Sequence, residues 1–147
     1  MDIYTYLKKD HRKVSDLMEQ LLAIKNADKR LAIFNEIKME LTLHADTEKE
    51  TFYAALENKK PTEEKIEHAE EEHEEIKKYL ATLSRLAIDS PKWLEQFGEF
   101  KHSVEHHVKE EEGEIFEKAR KILSHEQAVQ LAKEMDQLKE RALKNAA

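Results

Sequence analysis

Four stretches of the chain carry apolar residues at alternating steps of three and four, and each of these stripes is interrupted by polar groups. The first runs Ile3, Leu7, His11, Val14, Met18, Leu21, and the second Ile33, Ile37, Leu41, His44, Glu48, Phe52, Ala55. The third runs Ile66, Ala69, His73, Ile76, Leu80, Leu83, and the fourth Phe97, Phe100, Val104, His107, Glu111, Ile115, Ala119, Ile122. Such alternation marks a helix with one buried face. Four helices of this kind cover one another most simply as an antiparallel bundle. The expected fold is therefore all-α, an up-down-up-down four-helix bundle with an additional C-terminal helix.

The punctuation agrees. Two glycines and two prolines in 147 residues leave little material for turns, so connections should be short. Pro61 breaks the chain once, and Ser90 followed by Pro91 reads as an N-cap and first helical position. Asn26 to Asp28 is a softer boundary, and Ser124 with Gln127 reads as a capping box. Helices are predicted near 3–24, 28–57, 62–87, 91–121 and 125–143, within a single domain spanning 1–147. The last helix carries Val129, Ala132, Met135, Leu138 and Ala142 on one face, expected to pack across the bundle of a monomer or against the second subunit of a homodimer.

Several function classes drop out. With no cysteine, disulfides, thiolate metal sites and cysteine nucleophiles are excluded. The net charge of -7 opposes a nucleic-acid backbone as partner. The longest apolar run, Leu21 to Ile24, is far below the roughly 20 residues of a membrane span. Lys8, Lys9 and Asp10 fall where a signal peptide would be apolar. A cytoplasmic protein without membrane or nucleic-acid partners is expected.

The interrupted stripes then pose a physical problem. A buried imidazole or carboxylate without a partner costs several kcal/mol, and here four histidines and two glutamates fall at one level of the core. They also repeat: His11 and His44 are 33 residues apart, His73 and His107 are 34, so two helical hairpins each supply one histidine and then one HxxxE pair. Residues four apart in a helix differ by about 40° in direction and about 6 Å in height, so His44 with Glu48, and His107 with Glu111, can converge on one small object. A metal ion satisfies such donors. Four imidazoles and two carboxylates exceed one tetrahedral zinc and suit two first-row ions, iron preferred, with Glu48 and Glu111 bridging and open coordination positions for a small ligand.

A lone histidine on an apolar stripe is usually a satisfied core residue, and a lone HxxxE is commonplace on a glutamate-rich helix. Six such residues in a twofold pattern favour the metal. The remaining histidines serve as a control: His68, His102, His106 and His125 fall between stripe positions and belong at solvent or a groove edge, with His102 and His106 nearest the inner face of their helix.

The segments "LKKDHRKV" around His11, "HADTEKETFY" from His44, "EEHEEIKKYL" around His73 and "EHHVKEEEGEIF" around His107 resemble the hemerythrin-like HHE cation-binding domain proteins over roughly residues 2 to 140. The resemblance implies a bundle holding two non-heme iron ions, joined by an oxo or hydroxo bridge. His11, His44, His73 and His107 would be terminal ligands, and Glu48 and Glu111 bridging ones. Oxygen carriers of this family have a second histidine on the third helix where this chain has Lys77, and a longer spacing to an aspartate on the fourth. This is the shorter variant. It implies a protein that binds or reacts with oxygen, nitric oxide or peroxide, using a reductant not identifiable from sequence, with sensing, detoxification or redox homeostasis favoured over storage. A binding role is favoured over a peroxide- or nitric oxide-consuming enzyme.

Other readings are a reversible oxygen carrier or iron store, a ferritin-like oxidase and a metal-free interaction module. The ferritin-like pattern would use "EEEH" ending at His73 and "EFKH" ending at His102, but His102 is off the stripe and the first helix offers histidine rather than glutamate.

Overall fold

The computed structural model describes residues 1–146 and is helical throughout its ordered elements. Helix α1 spans Ile3–Ala23 and α2 spans Ala27–Glu48; α2 continues through a π-helical turn, Lys49–Tyr53, into a last helical turn, Ala54–Leu56. Helix α3 spans Glu63–Arg85. Helix α4 spans Pro91–Glu110 and likewise continues through a π-helical turn, Glu111–Ile115, into Phe116–Ile122. Helix α5 spans His125–Ala146.

Local chemistry sets these boundaries. Asp2 and Asn26 accept hydrogen bonds from the backbone N–H of Thr5 and Lys29, capping α1 and α2. Ser90 caps α4 through the N–H of Trp93, with Pro91 in the first turn. Ser124 and Gln127 exchange side-chain bonds at 2.8 and 3.1 Å in the reciprocal capping box that opens α5. Each cap satisfies a donor that the helix leaves orphaned.

The first four rods form the expected antiparallel bundle. Its core is divided. One apolar cluster contains Leu7, Phe52, Ala69 and Ile115, and a second contains Val14, Leu41, Ile76 and Val104. Between them lie His11, His44, Glu48, His73, His107 and Glu111, all buried. Each rod thus passes from one apolar cluster through a polar layer into the other.

Two register details differ from the straight-helix expectation. On α2 and its continuation, Ile33 and Ala55 are only half-buried, whereas Phe34, Tyr53 and Leu56 are buried. Phe34 meets the edge of Trp93 with ring centroids 5.4 Å apart. A π turn inserts one extra residue, so the inward face advances by one position and both Phe52 and Tyr53 enter the core. The π turn of the fourth rod does the same for Ile115 and Phe116, leaving Ile122 half-buried. The inner face of α5 is Ala128, Leu131, Ala132 and Met135; Val129 and Leu138 are half-buried and Ala142 is exposed. That face closes the first apolar cluster by packing on α1 and α2.

Candidate metal centre

All six stripe-interrupting residues meet in the polar layer. Glu48, His73, His107 and Glu111 each offer a ligand atom within 4.8 Å of the others, and so do His11, His44 and Glu111. Glu111 belongs to both groups through different oxygens: Oε1 is 3.2 Å from His11 Nε2, and Oε2 is 3.4 Å from His107 Nε2. Glu48 Oε1 stands 3.3 Å from His44 Nε2 and 3.4 Å from His73 Nε2. Both carboxylates therefore lie between an α1–α2 end and an α3–α4 end.

The imidazoles are aimed. Nδ1 of His11 faces Glu112 Oε2 at 2.7 Å, Nδ1 of His44 faces Asp10 Oδ2 at 2.9 Å, and Nδ1 of His107 faces Glu72 Oε1 at 2.8 Å. A carboxylate can only accept, so Nδ1–H donates and Nε2 is turned inward, the arrangement that orients metal-ligating histidines. His73 Nε2 and His107 Nε2 approach to 2.9 Å.

The layer is unsatisfied by protein alone. Nε2 of His11 and His44, both oxygens of Glu48 and Oε1 of Glu111 are buried without a hydrogen-bond partner. Orphaned polar atoms at this density in a core are costly, and a cation among them would satisfy all five. The donor set of imidazole nitrogens and carboxylate oxygens fits first-row metals.

Electrostatics show the same tension. Burial and the negative charge of Glu111 push Glu48 well above the carboxylate range. Burial would also raise Glu111, but His107 and His11 hold it well below. The two acids are thus pushed in opposite directions, as expected when they share a dry site. Burial, aided by the charge of His107, drives His73 down. His107 would also be lowered by burial, yet Glu111 and Glu72 push it up to about 10.

The four remaining histidines, His68, His102, His106 and His125, are all exposed. Beside the inward imidazoles lies an internal cavity of about 20 Å³, lined by His11, His44, His73 and His107 and walled by Leu41, Ile76 and Val104. A cavity of this size holds about one water-sized molecule. Lys77 lines it too, but its ammonium turns outward to Asp46 at 2.8 Å.

Sequence reasoning passed over Tyr53. Its ring stacks on His73 with centroids 5.3 Å apart, its hydroxyl donates to Glu111 Oε2, and that hydroxyl is 3.4 Å from His107 Nε2. A straight helix would have put Tyr53 off the stripe. Two adjacent bulky residues following each HxxxE, Phe52–Tyr53 and Ile115–Phe116, were the available signal. Asp10, Glu72 and Glu112, the carboxylates behind the histidines, were hidden among many charged neighbours.

The family model of the hemerythrin HHE cation binding domain matches residues 2–119. A DNA nickase of Nostoc is 28% identical over 134 residues, covering 91% of this chain but 38% of that protein. Uncharacterised proteins of Mycobacterium tuberculosis and Mycobacterium bovis are 28% identical over 116 residues, 78% of this chain and 70% of theirs. The crystal structure of a hemerythrin HHE cation binding domain-containing protein from Mycobacterium kansasii superposes with a TM-score of 0.84 at 26% identity, covering 97% of this chain and 90% of that one. The repeated histidine and HxxxE pattern, the bundle that buries it and the match over residues 2–119 together place the chain in the hemerythrin HHE cation-binding domain family.

Proposed function

We propose that the polar layer holds two iron ions and that the protein binds or reacts with oxygen, nitric oxide or peroxide, in sensing, detoxification or redox homeostasis. The observation that carries this reading is the set of five buried donor atoms on His11, His44, Glu48 and Glu111 that no protein group satisfies. His11 and His44 would serve one ion, His73 and His107 the other, and Glu48 and Glu111 would span both. Iron held there would supply a redox-active pair with coordination positions left for a small molecule.

The protein's own part is orientation and exclusion. Asp10, Glu112 and Glu72 fix three of the imidazoles through Nδ1. Tyr53 donates to a bridging carboxylate. The cavity of about 20 Å³ would suit a ligand of the size of a diatomic molecule or peroxide. None of the helices is long and apolar enough to cross a membrane among the described residues, and the absence of cysteine suits the reducing cytoplasm. The net charge of -7 opposes DNA as a ligand, so the nicking named for the Nostoc relative is not carried over.

The experiment is metal analysis of protein expressed with iron supplied, followed by absorption spectra of the reduced protein exposed in turn to oxygen, peroxide and nitric oxide. Two irons per chain and a spectral response are expected. Stoichiometric zinc without iron would refute the reading.

A further inference from the structure

The outer faces of α3 and α4 repeat the inner motif. His68 with Glu72 on α3, and His106 with Glu110 on α4, are two more histidine–glutamate pairs four residues apart, and the antiparallel helices set them opposite each other. His68 Nε2 lies 3.4 Å from Glu72 Oε2 and 3.7 Å from Glu110 Oε2. His106 Nε2 lies 3.7 Å from the same Glu72 oxygen and 3.0 Å from Glu110 Oε1. One donor atom each from His68, Glu72 and Glu110 falls within 4.8 Å of the others. Around an ion with bonds near 2.1 Å, neighbouring ligand atoms stand about 3.0–3.5 Å apart; the contacts at 3.0 and 3.4 Å already match, and the two at 3.7 Å need only a small side-chain shift. A groove of about 350 Å³ opens it to solvent.

Surface histidine–glutamate pairs on a glutamate-rich helix ordinarily hold nothing, because both side chains are free to rotate. Glu72 is not free. Its side chain is 13% exposed and its Oε1 accepts from His107 Nδ1 of the buried layer at 2.8 Å. Its other oxygen is thereby fixed toward the two solvent-facing imidazoles, which are 55% and 56% exposed. A carboxylate whose rotamer is set from behind is a pre-organised ligand.

We infer that His68, Glu72, His106 and Glu110 form a surface site for a divalent first-row cation, distinct from the buried layer but joined to it through Glu72. Mixed imidazole and carboxylate donors select ions of the Fe²⁺, Co²⁺ or Zn²⁺ type over Mg²⁺ and Ca²⁺. The site stands whatever fills the buried layer; its use, to hold an incoming ferrous ion against the outermost carboxylate of the proposed iron pair, rests on that pair.

The test is equilibrium dialysis of the metal-loaded protein against Co²⁺, with the His68→Ala/His106→Ala double variant alongside. The wild type should take up one Co²⁺ per chain more than the variant, with the cobalt visible bands of imidazole ligation, and the variant's affinity should fall by about tenfold or more. Both exchanged side chains are exposed, so the variant keeps its fold and the spectrum of its buried centre. Equal cobalt uptake by the two proteins, or an extra ion lacking imidazole bands, overturns the site. Failure of the iron-pair reading would show instead in the metal content of the starting protein.

Discussion

Tyr53 donates from the π turn of the second rod to Glu111 in the π turn of the fourth, and among the described residues no hydroxyl donates to a layer carboxylate from the matching position at the other end. The matching position after the second HxxxE is Phe116, which packs on Phe52 and Tyr4. The two halves of the centre are therefore chemically unequal. Tyr53→Phe should weaken metal binding at the His73–His107 end by about 10–100-fold, as loss of a group supporting a ligand does, while the His11–His44 end keeps its ion. Chelator competition followed by metal counting checks this; simultaneous loss of both ions would show that Tyr53 does not act on one end.

His44→Ala or His107→Ala should leave at most one ion per chain, since each removes an inward nitrogen. His125→Ala should change nothing measurable, because His125 is exposed. Equal losses in metal content across the three variants would disprove the division into inward and outward histidines.

The bundle and all six inward residues were legible because a stripe of period three to four survives any modest error in helix boundaries. What was illegible depended on leaving that period. The π turns at Lys49–Tyr53 and Glu111–Ile115 shift the inward face by one residue, and no local propensity in "KETFY" or "EEGEI" announces a wider turn. The face of α5 was legible in part: Ala132 and Met135 are buried as expected, but Ala128 and Leu131 join them at the same helical spacing, where Val129 and Leu138 were expected.

The metal-free protein should lose stability as pH rises from about 8 to 10. Burial pulls His107 and His11 down, but their carboxylate partners win, raising His107 to about 10 and raising His11 as well. The unfolded chain releases these protons near the ordinary histidine value of about 6.5, so above it the folded state holds more protons and each step upward in pH favours unfolding. Glu48, raised well above its usual range, acts in the same direction. His73 and Glu111 are lowered and are unprotonated in both states across this window. A metal-loaded layer has deprotonated ligands and should not share the decline. Thermal unfolding of chelated and loaded protein at each pH should show a gap in Tm that widens; a chelated Tm that is flat or rising contradicts the assignment.

Lys139 joins α5, which lies beyond the family match at residue 119, to the candidate metal centre. Its ammonium pairs with Asp10 Oδ2, the same oxygen that faces His44 Nδ1. Burial would raise Asp10, but His44 and Lys139 hold it at about 2. Without Lys139 the Asp10 carboxylate is free to turn toward solvent and His44 loses its fixed orientation. Lys139→Met should cost about tenfold in affinity at the His11–His44 end, with Lys139→Arg retaining it, measured by competition with a chelator. Equal affinity in the Met variant would leave Lys139 a surface contact only.

On the proposed di-iron reading, Lys77 would set the fate of a bound small molecule. It stands where oxygen carriers are expected to place a further histidine, yet its ammonium pairs outward with Asp46 at 2.8 Å and only its stem borders the cavity beside the four imidazoles. On that reading the α3–α4 end would lack one nitrogen donor, and the wall over the cavity is a half-exposed side chain in place of a packed ring. Water and protons would reach such a site more easily than one closed by a packed ring. Oxygen should oxidise the reduced protein within a few exposures rather than bind and leave, and Lys77→Ala, by removing the stem, should speed that oxidation several-fold. The measurement is repeated cycling of the reduced protein between oxygen and vacuum while the visible bands are followed. A spectral change that reverses unchanged over many cycles would identify a carrier and show that the outward turn of Lys77 does not expose the centre.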